Sequence, residues 1–179
     1  MGIEVITRQI EQNNHAGLAA VERTKLIQMR NQGLRDCFKH LADIPHKMEF
    51  VAKIQDKRFI DDAASRNVNS TWYAIESTEG PIIWIANGSD SNVSYDKIVK
   101  SASQKVKMLI CVGDNNSKLH EAFNSVIPNI IDCPTIESAV NKALYNNIEK
   151  ATVLYSPSVE NITSANEDGT NFRKEVGEL

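Results

Sequence analysis

The feature that most constrains the fold of this chain is a change in hydrophobic period near residue 48. Before it, apolar residues recur at intervals of three or four; after it, short apolar runs alternate with helical patterns. Continuous apolar strands alternating with helices are typical of a parallel sheet covered on both faces. We therefore predict an α/β fold: a Rossmann-like, mostly parallel sheet with helices on both faces, preceded by a short helical segment.

The individual elements follow from the same patterns. The predicted strands are residues 48–54, 58–60, 81–86, 107–112, 129–132 and 151–155. The predicted helices of the sheet domain are residues 67–77, 95–103, 117–123, 136–144 and, after a polar loop, about 171–178. Residues 15–42 fit two amphipathic helices broken near Asn31–Gly33. The predicted division is a helical segment, residues 1–47, and a sheet domain, residues 48–179.

The charge and composition exclude several classes of protein. Of 179 residues, 41% are apolar and 24% charged, which is an ordinary globular balance. The formal net charge is −3 and no segment concentrates Lys and Arg, so a nucleic-acid partner is not expected. The first twelve residues contain no long apolar run, so we expect neither a secretory signal nor membrane insertion, and a cytoplasmic location.

The cysteines and histidines do not predict a metal site. The three cysteines are far apart and are expected to be reduced, core or near-core residues: Cys37, Cys111 and Cys133. The four histidines show no metal-ligand spacing: His15, His40, His46 and His120. No residue is therefore assigned to a metal.

Polar residues follow the predicted strands, where an open α/β sheet binds its ligands. These loops begin at Asp61-Asp62, Asn87, Gly113 and Ser156. Strand-to-helix loops are often polar without binding anything, so both interpretations stay open. The chain has neither a Gly-x-x-x-x-Gly-Lys-Ser/Thr loop nor a Gly-x-Gly-x-x-Gly loop. Asp61 and Asp62 are adjacent, so their side chains should diverge, and no catalytic residue is predicted.

Several blocks, in one order, resemble the Mur ligase family. Residues 43–51 and 58–62 are similar to its "L-P-H-R-x-E…V-x-x-I-N-D-S-K-A-T-N" stretch, which residues 67–74 continue. Residues 81–90 look like "P-x-x-x-I-x-G-G-x-D-K-G", residues 153–157 like the start of "V-L-L-S-P-A-C-A-S-F-D", and residues 169–172 like the closing "R-G-x-x-F". The resemblance runs from about residue 10 to 177. It is to the C-terminal domain and is strongest for the family's D-glutamate-adding ligases of peptidoglycan precursor synthesis.

The resemblance implies a specific chemistry. These ligases phosphorylate a carboxylate of a UDP-linked muramoyl precursor with ATP and magnesium, and an amino acid then attacks the acyl phosphate. The third domain closes over the nucleotide and presents that amino acid, because the acyl phosphate hydrolyses if water reaches it. Since the phosphate loop and the UDP site belong to domains that this sequence does not contain, the isolated chain is expected to bind no cofactor and to be inactive.

The match also implies candidate site residues. Four positions are nucleotide-facing candidates: Asn13, His46, Lys47 and Asp62. Lys47 stands where the family has arginine, which keeps the charge but loses the planar fork. Six positions are amino-acid-facing candidates: Arg66, Asn67, Asp90, Ser91, Ser156 and Ser158.

The chain departs from the family where the amino acid should bind. Ala64 replaces the lysine of "S-K-A-T", and Ser91 replaces the lysine that follows the aspartate of the Gly-Gly block. Glu160 adds a negative charge in the segment after Ser158, and Arg66 is positioned to replace one lost positive charge.

Three functional interpretations remain from the sequence. The first is a degenerate C-terminal domain that binds a partner or small ligand without turnover. The second is a part of a working ligase that acts with N-terminal and central domains. The third is an interaction module, for which residues 15–42 would supply a surface for ligase domains or for a second copy.

Overall fold

The computed structural model describes residues 23–33, 36, 44–88, 93–159 and 163–179. The chain divides into two compact units, residues 1–40 and residues 41–179. Residues 44–47, which the sequence assigned to the helical segment, precede the first strand directly, and the predicted domain boundary stays a prediction.

Residues 23–33 of the first unit form a helix, α1. It continues through Asn31–Gly33, so the break predicted there is wrong. A single glycine costs a helix only about 1 kcal/mol relative to alanine, which need not end it. Leu26, Ile27 and Met29 of α1 are exposed. Most of the rest of the predicted helical pair lies outside the described residues.

The second unit contains six strands and five helices in its described part. The strands are β1 (Glu49–Ile54), β2 (Lys57–Asp61), β3 (Ile82–Asn87), β4 (Val106–Val112), β5 (Ile130–Cys133) and β6 (Thr152–Tyr155). The helices are α2 (Val68–Ser77), α3 (Asp96–Lys105), α4 (Ser117–Phe123), α5 (Ile136–Leu144) and α6 (Ala165–Gly177). All six predicted strands and five predicted helices of this unit are present, most within two residues of their predicted bounds.

The six strands form one sheet in the order β1-β2-β6-β3-β4-β5. Only β1 and β2 pair antiparallel; the pairs from β2 to β5 across the sheet are parallel. The mostly parallel α/β fold is therefore confirmed. Strand β6, the last in sequence, lies between β2 and β3, so it brings its carboxyl end into the middle of the sheet.

The alternation of side chains along β3 shows how both faces are buried. Ile83 and Ile85 belong to the core cluster that includes Val140 of α5 and Phe172 of α6. Trp84, between them, meets Phe123 of α4 edge to face, with 5.3 Å between ring centroids. Since successive strand residues point to opposite faces, helices cover the sheet on both sides, as predicted.

The terminal helix begins earlier than predicted. Helix α6 begins at Ala165, where Ser164 and Glu167 form a reciprocal capping box, whereas the sequence analysis placed its start near residue 171. The first turns contain Asp168 and Gly169 and lack the spaced apolar residues by which a helix is predicted from sequence. Both are buried, so this part of α6 is covered despite its polar sequence.

Across the described part of the chain, every helix is too short or too polar to cross a bilayer.

Candidate functional site

The candidate site lies where β2, β6 and β3 end side by side. The Asp62 N–H donates to the Tyr155 carbonyl at 2.9 Å, and the Ser156 N–H donates to the Ile85 carbonyl at 3.0 Å. These bonds continue the sheet pattern by one residue beyond the strands, which places Asp62 and Ser156 next to each other. The insertion of β6 between two earlier strands creates this meeting point, the kind of place where α/β sheets bind ligands.

A buried ion pair occupies the centre of the site. The Lys47 ammonium donates to Asp62 Oδ1 at 2.9 Å and also contacts the Ser65 hydroxyl. Lys47 is 9% exposed and Asp62 is fully buried. Burial raises the pKa of Asp62, and the neighbouring Lys47 charge opposes that rise. The two charges therefore compensate each other inside the protein.

Hydroxyl groups complete the network on the other side of Asp62. The Ser156 hydroxyl donates to Asp62 Oδ2 at 2.8 Å and lies 2.8 Å from the Thr71 hydroxyl of α2. The indole N–H of Trp84 donates to the Ser156 carbonyl at 2.9 Å. The network thus connects the loops after β2 and β6 to α2 and the core.

Two segments that supply this network, the loop before β1 and the loop after β6, have unusual backbone conformations. His46 and Met48, on either side of Lys47, have φ of 60° and 53°, and Ser158 has φ of 68°. Residues with a Cβ rarely adopt this left-handed region, and each such residue costs on the order of 1 kcal/mol or more. Strain of this kind is concentrated at functional sites, so it is a second indication, besides position, that this edge has a role.

A second charged group lies beside the first. His46 Nδ1 is 2.7 Å from Asp61 Oδ2, to which Arg173 Nε also donates at 2.6 Å. His46 Nε2 is 3.0 Å from the side chain of Asn166. A Cβ on Gly169 would overlap the His46 ring, so only glycine lets α6 approach this loop so closely. The adjacent Asp61 and Asp62 have different partners, as the sequence predicted.

Arg66, the predicted replacement for a lost family lysine, is engaged within the protein. Its Nη1 donates to Asp168 Oδ2 at 3.1 Å and its Nη2 donates to the Thr163 carbonyl at 2.6 Å. The Arg66 and Asp168 side chains are 13% and 10% exposed. Asp168 stands at the position where the family motif has arginine, immediately before Gly169. Arg66 also departs from the family motif, so two residues that differ from the family pattern contact each other.

The structure places the other predicted residues as follows. Asn67 caps α2: its Oδ1 accepts from the Ser70 N–H at 3.0 Å, which is a structural role. Ser158 is buried, and its N–H donates to the Ser65 carbonyl at 3.0 Å. Asn13, Asp90 and Ser91 lie outside the described residues, as does Glu160. The sequence analysis did not identify Thr71 or Asp168 as parts of the site, because each is an ordinary helix residue until the fold brings it here.

The Lys47 ammonium and the Asp62 carboxylate are directed at each other, and both also contact hydroxyl groups. The pair is the centre of a buried network that connects the loop before β1 to the loops after β2 and β6. That His46, Lys47 and Asp62 face a nucleotide stays a prediction.

Outside this site, the structure brings together a group that the sequence did not suggest. Ligand atoms of Cys111, His120 and Asp132 lie within 4.8 Å of one another. These residues lie on three different elements, β4, α4 and β5, so their spacing in the sequence does not indicate that they are close together. Cys111 and Cys133 are free, buried thiols, as predicted, whereas Cys37 lies outside the described residues.

Comparison with known proteins decides the family. The chain is 34% identical over 167 residues to the UDP-N-acetylmuramoylalanine–D-glutamate ligase of Porphyromonas gingivalis, covering 92% of this chain and 37% of that enzyme. It is 30% identical over 174 residues to the enzyme of the same name from Christiangramia forsetii, covering 96% and 39%. This chain is a Mur ligase homologue. The relatives that it matches are the D-glutamate ligases of this family, and its correspondence to their C-terminal domain stays a prediction.

This Mur ligase homologue spans little more than a third of the curated relatives that it matches. No protein-family model matches it. Among solved structures, a domain of a UDP-N-acetylmuramate ligase from Haemophilus ducreyi aligns with a TM-score of 0.49 at 8% identity, covering 71% of this chain and 97% of that one. A MurF ligase from Thermotoga maritima, solved with ADP, aligns with a TM-score of 0.48 at 9% identity, covering 75% and 32%.

Proposed function

We propose that this Mur ligase homologue retains the scaffold of a C-terminal ligase domain but does not bind D-glutamate, and that it is not catalytic alone. The observation that carries the proposal is the engagement of Arg66. The guanidinium that could replace a missing substrate-binding lysine is paired with Asp168 and with the Thr163 carbonyl.

The charge balance at the amino-acid side supports this proposal. Ala64 and Ser91 stand where the family has lysines, so two positive charges are absent. A hydrogen bond to a charged group contributes about 1.5–3 kcal/mol, so the loss of two weakens binding of a dicarboxylate by about two to four orders of magnitude. Asp168 adds a negative charge beside Arg66, which disfavours a second carboxylate there.

A second candidate function rests on the Lys47–Asp62 pair. These residues keep the family positions near the nucleotide, and a buried network with Ser156 holds their loops in a fixed, strained conformation. This arrangement supports a chain that acts as the closing domain of an active ligase once joined to N-terminal and central domains. In that case ATP, magnesium and the UDP-muramoyl precursor would be bound by the joined protein.

Calorimetric titration of D-glutamate into the purified chain tests the first proposal. We expect no saturable heat at D-glutamate concentrations that saturate the Porphyromonas ligase, which serves as the positive control together with Mg-ATP and its precursor. Saturable binding of D-glutamate that disappears in Arg66→Ala would overturn the proposal and favour the second candidate. Glu79→Gln, at an exposed position away from the site, serves as the matched control variant.

A further inference from the structure

A cluster of possible metal ligands lies on β4, β5 and α4, on the side of the sheet that ends with β5, and it is independent of the proposed function. Cys111 on β4 and Asp132 on β5 are directly opposite each other in the parallel register, and His120 of α4 lies above them. The His120 Nε2 atom is 3.0 Å from Asp132 Oδ1 and 3.1 Å from Asp132 Oδ2. Three elements that are distant in sequence thus direct a sulfur, a nitrogen and a carboxylate at one point.

The distances suit a tetrahedral transition-metal ion. Bonds of about 2.0–2.3 Å place the ligand atoms of a tetrahedral zinc site roughly 3.3–3.8 Å apart. The three ligand atoms here lie within 4.8 Å of one another, so binding of an ion would draw them closer together to reach that spacing. A sulfur, an imidazole nitrogen and a carboxylate form a donor set that suits zinc or cobalt and not magnesium or calcium, which prefer oxygen alone.

Neighbouring amides already orient two of the three groups. The Asn116 side-chain N–H donates to Asp132 Oδ1 at 2.8 Å and to the Gly113 carbonyl at 2.9 Å. On the far side of the imidazole, His120 Nδ1 lies 3.3 Å from Asn124 Oδ1. A proton on Nδ1 that is donated to Asn124 leaves Nε2 with its lone pair facing Asp132 and Cys111. Partners of this kind position metal ligands in known sites and affect metal affinity strongly.

An open position for a fourth ligand is also available. A cavity of about 460 Å³ is lined by His120 and Asp132 together with Gly113, Asp114, Ser117 and Pro134. Cys111 is fully buried and is not among the residues that line this cavity, whereas the His120 and Asp132 side chains, which line it, are 31% and 57% exposed. Water can therefore reach a bound ion from the side of His120 and Asp132.

We propose that Cys111, His120 and Asp132 bind a divalent transition-metal ion of the zinc type, with water as the fourth ligand. On binding, the Cys111 thiol loses its proton to solvent as the sulfur–metal bond forms. The proton between His120 Nε2 and Asp132 also leaves Nε2: an imidazolium releases it to solvent, and a neutral ring exchanges it through solvent for a proton on Nδ1, which faces Asn124. No oxidation or reduction is involved. The ion would connect β4, β5 and α4 at the edge of the sheet.

Cobalt titration of the full chain tests the proposal, because a cobalt–thiolate bond gives a charge-transfer band in the near ultraviolet. In a Cys37→Ser, Cys133→Ser background, any such band must come from Cys111. We expect one equivalent of cobalt to produce the band and one equivalent of zinc to remove it. Zinc should also raise the thermal midpoint, since it binds the folded state. Absence of the band in this background would overturn the proposal.

Single variants then identify the remaining ligands. His120→Asn and Asp132→Asn should each abolish the band, and Asn124→Ala, which removes only the orienting partner, should weaken cobalt binding about 10- to 100-fold. Glu121→Gln, at an exposed acid of α4 that pairs with Lys118 and does not line this cavity, is the matched control and should leave binding unchanged. Circular dichroism verifies that each variant is folded. A band that persists in both the His120 and Asp132 variants would also contradict the assigned site.

Discussion

The Arg66 guanidinium lies 3.1 Å from the Asp168 carboxylate across 102 residues of sequence. Neither residue type matches the family motif at its position, yet the two compensate each other: a positive charge gained on one loop meets a negative charge gained at the start of α6. Because both side chains are largely buried, the pair joins the loop after β2 to the terminal helix. The guanidinium on which the proposed function rests is thereby engaged within the chain itself.

Breaking this pair should reveal a direct coupling between the two residues. In a double-mutant cycle of Arg66→Ala and Asp168→Ala, urea denaturation should give a coupling free energy of about 0.5–3 kcal/mol. The coupling arises because each single variant leaves the other charge poorly solvated. A cycle that closes with no coupling would show that the two side chains contribute independently, and would remove the structural basis of the proposed function.

Removal of the Lys47 charge should destabilise the domain strongly. Lys47→Met leaves Asp62 buried without its counter-ion, which costs about 3–5 kcal/mol of unfolding free energy at neutral pH. Asp62 has a raised pKa in the folded state, and loss of Lys47 removes a cause that lowers it. The folded variant therefore takes up a proton more readily than the unfolded chain, so its stability falls as pH rises through the folded-state pKa.

Urea denaturation at neutral and mildly acidic pH measures this effect. The deficit of Lys47→Met relative to the unmutated chain should shrink at the acidic pH. Lys53→Ala, at an exposed position of β1, is the matched control and should change stability by less than about 0.5 kcal/mol. An equal deficit at both pH values would contradict the inferred protonation of Asp62.

Removal of the Tyr155 hydroxyl should not lower the unfolding free energy, unlike removal of the Lys47 charge. Tyr155 is fully buried and stacks on Phe172, with 5.1 Å between ring centroids, but its hydroxyl makes no hydrogen bond of normal geometry with the described residues. Tyr155→Phe should leave the unfolding free energy unchanged or raise it by up to about 3 kcal/mol, because it removes an unsatisfied polar group. A loss of more than about 1 kcal/mol would show that the hydroxyl has a partner.

Phe172→Ala provides the matched control for this measurement. Truncation of the buried ring should lower the unfolding free energy by about 3–5 kcal/mol, since it leaves a cavity against Tyr155. The two variants together separate the contribution of the ring stack from that of the hydroxyl.

The capping box of α6 predicts that the unfolding free energy decreases at acidic pH. The Ser164 N–H donates to Glu167 at 2.8 Å, and this bond lowers the pKa of Glu167. A carboxylate with a lowered folded-state pKa contributes stability above its unfolded pKa of about 4.5, and this is lost as pH falls through the folded value. Glu167→Gln should remove that part of the acid dependence, whereas Glu79→Gln should not.

Ser164→Ala tests the same cap from the other side. It removes the hydroxyl that accepts from the Glu167 N–H and should cost about 1 kcal/mol in urea denaturation. An unchanged midpoint for Ser164→Ala would show that α6 does not depend on this start, and would favour the shorter helix that the apolar pattern alone predicted.

The sequence predicted most of the second unit because its strands are short apolar runs with clear polar breaks. The bounds of α4 and α5 agree with the prediction to the residue, and Asn67 was correctly placed at the start of α2. The error at α6 has a physical cause: Asp168 and Gly169 are buried through an ion pair and a close approach to His46, neither of which has a hydrophobic signature.

The structure groups three of the predicted candidate residues, whereas their binding roles stay a prediction. Family motifs identified Lys47, Asp62 and Ser156, and the structure shows that they contact one another in one buried network. Their mutual contacts depend on the insertion of β6 between β2 and β3, which the order of elements in the sequence does not reveal. For the same reason Cys111, His120 and Asp132 could not be grouped: the β4–β5 register brings Cys111 and Asp132 together.

The most direct test of the central claim is a chimeric ligase. The part of the Porphyromonas enzyme that this chain matches would be replaced by this chain, and D-glutamate-dependent amide formation would be measured from the UDP-muramoyl precursor and Mg-ATP. The parent enzyme, expressed in the same way, provides the reference rate. We predict a folded chimera with amide formation reduced by at least two orders of magnitude, because the D-glutamate contacts are absent. Turnover close to that of the parent enzyme would contradict the account and identify this chain as a working ligase domain.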